Sequence, residues 1–171
     1  MPRTDSTRLA GRYARIHDQL ALLFHKTEDP LSRMATAAAA LHHKMPHFFW
    51  TGFYRMEGGD LIVGPYQGPL ACSVLVRGRG VCWASVERGE ALLVPDVHAF
   101  SGHIACDSRS RSEVVVPVRA RDGHIAAVLD VDGREKDAFC QVDVDGLSRI
   151  ATLIHMPFPE LPEGNGGEGG D

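Results

Sequence analysis

Long apolar runs and a dense set of cysteines are both missing from this sequence of 171 residues. No stretch approaches the length of a membrane span, and the first residues carry charge where a signal peptide has an apolar core. The four cysteines are too few and too widely spaced for a secreted disulfide scaffold. We therefore expect a cytoplasmic protein whose cysteines serve as buried thiols, metal ligands or redox groups.

An excess of basic residues is missing as well. Lys and Arg number 18 against 22 Asp and Glu, which gives a formal net charge of -4. The two signs are interspersed, so the sequence offers neither a basic surface for nucleic acid nor a polybasic arm for an anionic membrane. The charge pattern predicts no nucleic acid and no membrane as a partner.

Apolar spacing predicts two helices in the first part of the chain. The first carries a stripe at helical spacing that consists of Leu9, Tyr13, Ile16, Leu20 and Leu23. Asp29 and Pro30 then suit the N-cap and the first turn of a second helix. That helix is rich in alanine, ends before Pro46, and presents on one face Leu31, Met34, Ala38, Leu41 and Met45.

The rest of the chain predicts antiparallel strands with two further helices. The predicted elements are a hairpin from His47 to Tyr66 with its turn at EGGD, a strand at 71–76, a helix at 80–90, a short strand at ALLVPD, a hairpin of strands 112–119 and 124–132, and a helix from about 142 to 155. This order predicts the α+β class, with an antiparallel central sheet flanked by N-terminal and C-terminal helices. We expect one domain over residues 1–156, divided into N-terminal helices (1–45) and a sheet core with the last helix (47–156), and a disordered tail at 157–171.

The loop from Val97 to Arg111 holds the densest group of reactive side chains. Within it, Cys106 is a candidate nucleophile, because His98, His103 and Arg109 bring positive charge that favours a thiolate. One alternative is a structural thiol that faces the core. Another is a zinc site, since cysteines and His98 or His103 are suitable ligands, but the cysteine spacings contain no paired C-x-x-C.

Three acidic residues lie on the strands of the second hairpin. Asp130 and Asp132 are two apart on a strand and so share a face. Two close carboxylates resist joint ionisation, which suits an acid that donates a proton beside a neighbour that binds a cation such as an ammonium group. The alternative is a solvated strand end. Glu113 lies either on the solvent face of its strand or in the core as a buried acid, and its position in the sequence does not decide between them.

Two aromatic residues of the first hairpin share a face of their strand. Trp50 and Tyr54 are four residues apart, so both can line one side of a ligand pocket. The alternative is that both belong to the hydrophobic core, where aromatic strand residues commonly lie.

Several long blocks of the sequence together resemble one known family. These blocks are WTGFY from Trp50, GPYQGPLAC ending at Cys72, GVCW around Cys82, VPDVHAFSGHIACDSRSRSEVVVPV, and AAVLDVD. They resemble the free methionine-(R)-sulfoxide reductases, which are GAF-domain proteins, over roughly residues 47–153. The resemblance implies a GAF fold and an oxidoreductase that reduces free L-methionine-(R)-sulfoxide to methionine.

The resemblance also implies a role for each cysteine. Cys106 matches the catalytic cysteine, which attacks the sulfoxide sulfur and is left as a sulfenic acid. Cys72, or secondarily Cys82, matches the cysteine that converts this sulfenic acid to a disulfide. Cys140 has no counterpart in the family pattern.

The remaining site residues follow from the same resemblance. Trp50 and Tyr54 match the aromatic walls around the methyl end of the substrate. Glu113, Asp130 and Asp132 match the acids around its sulfoxide oxygen and ammonium group, with Glu113 and Asp132 as candidates for the proton donor.

The implied reaction needs an external reductant and no bound cofactor or metal. A thioredoxin-like dithiol would return the disulfide to two thiols. The pocket would accept a free amino acid and exclude a peptide, and the resemblance also suggests a homodimer. The alternatives are a GAF sensor that binds a small ligand without turnover and a redox switch that uses the cysteines for regulation.

Overall fold

The computed structural model of this chain describes residues 3–102 and 107–155, with side chains from residue 6 onward. Cys106, His103 and the predicted tail at 157–171 lie outside the described residues. The elements in chain order are α1 (Arg3–Phe24), α2 (Pro30–Lys44), β1 (Trp50–Glu57), β2 (Asp60–Gln67), β3 (Val74–Leu75), α3 (Gly80–Arg88), β4 (Leu92–Val94), a 3-10 turn (Val97–Ala99), β5 (Ser112–Arg119), β6 (Ile125–Gly133) and α4 (Gln141–Thr152).

The strands form one antiparallel sheet in the order β3-β2-β1-β6-β5-β4. The two predicted hairpins are the pairs β1–β2 and β5–β6, and β1 joins β6 at the centre of the sheet. The predicted α+β class is therefore confirmed. The third strand is shorter than predicted, because only Val74 and Leu75 pair with β2, whereas residues 69–72 line a cavity instead.

One face of the sheet is covered by α2 and α4, and α1 packs against both of these helices. Their apolar side chains form the larger core together with Phe53, Val114 and Leu129 of the sheet. The predicted helix stripes are largely confirmed, but Leu23 and Leu31 are 44% and 50% exposed. In α1, Phe24 takes the buried position after Leu20, because a step of four residues stays on the buried face of a helix.

The junction between α1 and α2 is fixed by polar groups. Asp29 caps α2 as predicted, because its Oδ2 accepts a hydrogen bond from the Ser32 backbone N–H at 2.8 Å. Arg33, which the stripe did not predict as a core residue, is 1% exposed. Its guanidinium donates to the backbone oxygens of Thr27 (2.8 Å), Phe24 (3.1 Å) and Leu153 (3.1 Å), which lie at the C-terminal ends of α1 and α4. The buried charge thus satisfies carbonyls that helix ends leave without partners.

The opposite face of the sheet is covered by α3 and by the loops around it. Val115 and Val128 of the sheet pack there against Val81 and Trp83 of α3 in a second, smaller core. In the described part of the chain, no helix combines the length and apolar character that a membrane span requires. The second face also contains the polar residues of the candidate site.

Candidate active site

A cavity of about 100 Å³ lies between the second face of the sheet and the start of α3. One water molecule requires about 10 Å³ of such a cavity, so the space suits one small molecule. The lining includes the predicted site residues Trp50, Tyr54, Cys72, Cys82, Glu113, Asp130 and Asp132. The structure thus brings together the predicted aromatic, acidic and cysteine residues of the site that it describes, whereas His98 does not line the cavity.

The three acids meet because β5 and β6 are paired in a fixed register. Glu113 lies opposite Asp132, and Val115 lies opposite Asp130. Asp130 and Asp132 share the cavity face, as predicted from strand alternation. Glu113 is 6% and Asp130 7% exposed, so these carboxyl groups belong to the protein interior and not to a solvated strand end. The buried alternative for Glu113 is therefore the one that the structure shows.

Burial raises the pKa values of the three carboxyl groups in this acid cluster. Burial, together with the nearby charges of Asp130 and Asp132, raises the pKa of Glu113 well above its usual range. Burial and the Asp130 charge likewise raise the pKa of Asp132, although a hydrogen bond with Ser110 opposes this. Burial raises the pKa of Asp130 to about 7, the increase being limited by hydrogen bonds with Cys82 and Glu113. The cluster therefore contains both protonated and ionised carboxyl groups near neutral pH.

The aromatic wall of the cavity belongs to a stack of three rings, of which Trp50 and Tyr54 line the cavity. The ring centroids of Trp50 and Tyr54 are 5.8 Å apart at an interplanar angle of 22°. Tyr66, which the sequence analysis missed, stacks on the other side of Trp50 at 5.4 Å and 19°. Tyr66 lies directly opposite Gly52 in the β1–β2 pair, and an aromatic residue across from a strand glycine is the signal that would have indicated it.

Gly52 makes room for this stack. A Cβ atom at Gly52 would lie 2.5 Å from Cη2 of Trp50 and would also overlap Cβ of Tyr66. The absence of a side chain at Gly52 therefore allows the Trp50 indole to lie flat along the strand between its two neighbours.

Two buried polar atoms in the cavity wall have no hydrogen-bond partner among the described residues. They are Nε1 of Trp50, a donor, and Oδ1 of Asp130. Buried polar atoms are generally paired, so an unpaired donor and carboxyl oxygen beside one cavity indicate groups that a ligand can satisfy.

Asp107 and Arg109 form a tight ion pair at the edge of the cavity. Nη2 of Arg109 lies 2.6 Å from Oδ2 of Asp107, and hydrogen bonds from Arg109 lower the pKa of Asp107 to about 2. The guanidinium also lies over the ring of Phe49, 5.1 Å from its centroid. The positive charge predicted for this loop is thus present, and it is paired with a carboxylate.

The cysteines differ in their state. Cys72, half-buried beside the cavity, is disulfide-bonded. Cys82 and Cys140 carry free thiols. Cys82 is 4% exposed, and its thiol donates to Oε1 of Glu113 over 4.0 Å. Burial, with the charges of Asp130 and Glu113, raises the pKa of Cys82 well above its usual range. Cys140 lies at the start of α4, where its backbone N–H donates to Oδ2 of Asp143 at 2.8 Å.

One group of side chains has the donor types that a metal ion requires. Cys82, Glu113 and Asp130 are all buried, and each offers one ligand atom within 4.8 Å of the other two. This group differs from the set of cysteines and histidines considered from the sequence. It combines one cysteine with two carboxyl groups, and Cys72, which is held in a disulfide, is not part of it.

Known proteins resemble this chain over most of its length. The profile of a family described as GAF domain matches residues 26–156. The Bacillus subtilis protein YtsP is 40% identical over 150 residues, which span 86% of this chain and 91% of the relative. The free methionine-R-sulfoxide reductase of Escherichia coli is 38% identical over 124 residues, which span 72% of this chain and 74% of the relative.

A solved structure shows the same architecture. The X-ray structure of free methionine-R-sulfoxide reductase from Neisseria meningitidis in complex with its substrate is similar to this chain with a TM-score of 0.80 and 36% identity. The match covers 85% of this chain and 87% of the other. The predicted GAF fold is thereby confirmed.

Proposed function

This chain belongs to the GAF domain family, and from this premise we propose that it is an oxidoreductase that reduces free L-methionine-(R)-sulfoxide to L-methionine. The proposal is supported by the relatives named free methionine-R-sulfoxide reductase. The observation that carries it is one small cavity in which an aromatic wall, three carboxyl groups and a disulfide-bonded cysteine meet.

The cavity has complementary surfaces for the two ends of the substrate. The stacked rings of Trp50 and Tyr54 offer an apolar wall for the methyl group. An ionised carboxyl group at Asp130 offers the counter-charge for the ammonium group, and its unpaired Oδ1 is available to accept a hydrogen bond. A cavity of about 100 Å³ suits one small molecule such as a free amino acid.

The first chemical step is oxygen transfer from the substrate to the enzyme. The thiolate of Cys106 attacks the sulfoxide sulfur and forms a sulfur–sulfur bond, while Glu113 or Asp132 donates a proton to the oxygen. The hydroxyl group then moves to the Cys106 sulfur as its bond to the substrate sulfur breaks, and the electron pair of the sulfur–sulfur bond stays on the substrate sulfur. Methionine leaves, and Cys106 retains the oxygen as a sulfenic acid. The raised pKa values of Glu113 and Asp132 support this role, because a proton donor must hold its proton at neutral pH.

The second step removes that oxygen as water. The Cys72 thiol attacks the sulfenic sulfur of Cys106, a disulfide forms, and hydroxide leaves with a proton as water. The disulfide at Cys72 and the free thiol at Cys82 support Cys72 as the cysteine that reacts first. The raised pKa of Cys82 also disfavours that thiol as a nucleophile.

The third step returns both cysteines to thiols. A dithiol protein of the thioredoxin type attacks the disulfide and leaves oxidised, with two electrons transferred to the enzyme. The surroundings of Cys72 support a protein reductant, because Leu70, Val74 and Val76 nearby are 85%, 51% and 56% exposed. Clustered exposed apolar side chains favour contact with another protein.

A coupled assay tests the proposal directly. NADPH oxidation through thioredoxin reductase and thioredoxin is followed with free L-methionine-(R)-sulfoxide, with its S epimer and with a peptide-bound sulfoxide. We expect turnover of the free R epimer alone, loss of turnover in Cys106→Ser, and full turnover in the matched control Cys140→Ser. Absence of turnover by folded, reduced protein with several dithiol donors would overturn the proposed activity.

A further inference from the structure

The proposed reaction leaves one reactive group of the cavity without a task. Cys82 is buried, carries a free thiol, and lies in the first turn of α3 against Glu113 and Asp130. The substrate ammonium group accounts for the nearby carboxyl groups, but it does not account for a thiol beside them. A thiol together with two carboxyl groups is a set of ligands for a transition-metal ion.

A second observation at the same place also indicates a cationic ligand. Asp130 is 7% exposed, and its Oδ1 has no hydrogen-bond partner among the described residues, although the side chain lines the cavity. A buried carboxyl oxygen without a partner is satisfied by a cation that enters through the cavity. Since Cys82 and Glu113 line the same cavity, one ion can contact all three side chains.

We propose that Cys82, Glu113 and Asp130 bind one zinc ion, with water as the fourth ligand, and that zinc and the amino-acid substrate exclude each other from the cavity. Zinc binding is independent of the proposed reductase activity. The competition rests on the proposed function, because it requires the substrate ammonium group to lie at Asp130.

The geometry is close to that of a tetrahedral zinc site. With Zn–S near 2.3 Å and Zn–O near 2.1 Å, ligand atoms around a tetrahedral ion are about 3.5 Å apart. The Cys82 sulfur lies 4.0 Å from Oε1 of Glu113, and the ligand atoms of all three side chains lie within 4.8 Å of one another, so changes of side-chain torsion would bring them to these spacings.

The donor set selects zinc over other common ions. Calcium and magnesium prefer oxygen ligands alone, and copper(I) prefers sulfur ligands, whereas zinc accepts one thiolate with two carboxylates. When zinc binds, the Cys82 thiol and any protonated carboxyl group release their protons to solvent. The ion replaces protons and changes no oxidation state.

Oxidised protein provides the cleanest test, because Cys72 is then closed in its disulfide while Cys82 remains free. Zinc is titrated into this form by calorimetry, and cobalt(II) replaces zinc in a parallel absorbance titration. We expect one ion per chain, proton release on binding, and a thiolate-to-cobalt charge-transfer band. No substrate turnover enters these readouts, so failure of the reductase proposal and failure of the zinc proposal are distinguishable.

Two single cysteine variants make a matched pair, because Cys82 and Cys140 are both free. We expect Cys82→Ser to weaken zinc binding at least tenfold and to lose the cobalt band, and we expect Cys140→Ser to change neither. Asp130→Asn, checked for folding by circular dichroism, is expected to weaken binding while retaining the cobalt–thiolate band. Absence of stoichiometric zinc binding in the wild type, or equal binding in Cys82→Ser, would refute the site.

Competition is measured with the same oxidised protein. Free L-methionine-(R)-sulfoxide at increasing concentration is expected to raise the apparent Kd of zinc in proportion, and alanine is expected to have a smaller effect. Zinc affinity that is unchanged at saturating sulfoxide would contradict mutual exclusion.

Discussion

Asp130 and its neighbours show how one cluster of side chains provides both a charge and a proton. The carboxyl groups repel one another's ionisation, so the group that loses its proton most readily carries the negative charge. The pKa of Asp130 is raised to about 7, whereas the pKa of Glu113 is raised well above its usual range. In the proposed reaction, Asp130 is therefore the member that we expect to bind the ammonium group, and Glu113 is the one that we expect to keep its proton for the sulfoxide oxygen.

This division of roles predicts a pH-dependent KM. As pH rises from 6 to 8 through the pKa of about 7, Asp130 ionises, and the KM for free L-methionine-(R)-sulfoxide falls. In Asp130→Asn the KM is expected to rise about tenfold or more at pH 8, since a charge-assisted hydrogen bond is lost, and to lose its dependence on pH in this range. Steady-state kinetics across the pH range measure both effects.

Asp60→Asn serves as the control, because Asp60 is an exposed aspartate at the start of β2. It is expected to retain the wild-type KM and its pH dependence. If Asp130→Asn shows the same pH-dependent KM as the wild type, another carboxyl group binds the ammonium.

The sequence was most informative where a side chain's position follows from its own strand. Alternation along β1 and β6 was enough to place Trp50 with Tyr54 and Asp130 with Asp132, and the structure confirms both pairs on the cavity face. Glu113 remained undecided, because its burial depends on which strands become its neighbours. Register between strands is a property of the folded sheet, and it is encoded only weakly in a single sequence.

At the scale of elements, Arg33 connects three helices that the sequence predicts separately. It belongs to α2, yet its guanidinium binds carbonyl oxygens at the ends of α1 and α4. Its buried position was not predicted, because periodicity marks apolar residues and assigns an arginine to the solvent face. The long-range partner Leu153 is far away in the sequence, so no local pattern indicates it.

Removal of this guanidinium is expected to destabilise the helical layer. In Arg33→Met the backbone oxygens of Phe24 and Leu153 lose their donors, and the free energy of unfolding falls by about 2 to 4 kcal/mol. Arg33→Lys is expected to recover only part of this loss, because an ammonium group cannot reach carbonyls spread around a planar guanidinium. Urea denaturation followed by circular dichroism measures the differences.

The control for this prediction is Arg15→Met on the exposed face of α1. That change is expected to lie within about 0.5 kcal/mol of the wild type. A wild-type stability in Arg33→Met would show that the guanidinium contributes nothing beyond the packing of its aliphatic part.

At the scale of the whole molecule, the acid cluster is expected to lower the stability of the protein at neutral and alkaline pH. Burial raises the pKa of Glu113 in the folded state, so folding takes up a proton above the ordinary pKa of an unfolded glutamate. The contribution of Glu113 to stability is therefore highest below about pH 4 and declines as pH rises toward its folded pKa. Binding sites that contain buried ionisable groups commonly reduce the stability of the folded protein in this way.

Comparison of Glu113→Gln with the wild type isolates this effect. The two proteins are expected to differ little at pH 4, whereas at pH 8 the variant is expected to be more stable by about 1 kcal/mol or more. Thermal unfolding at a series of pH values gives the difference, with the exposed Glu87→Gln of α3 as the control. A difference that stays constant from pH 4 to pH 8 would contradict the buried proton at Glu113.

The central pairing of β1 with β6 also determines when the cavity first exists during folding. The pairs β1–β2 and β5–β6 are each closed by a short turn, whereas β1 meets β6 only after the whole segment between them has been organised. Short loops close at a smaller loss of chain entropy than long ones, so we expect the two hairpins to form before β1 pairs with β6. Trp50 and Tyr54 belong to β1, whereas the three carboxyl groups belong to β5 and β6. A chain in which β1 and β6 are not yet paired therefore has no pocket. A ligand that contacts residues of both strands is expected to leave the early steps of folding unchanged and to slow the unfolding of the completed sheet.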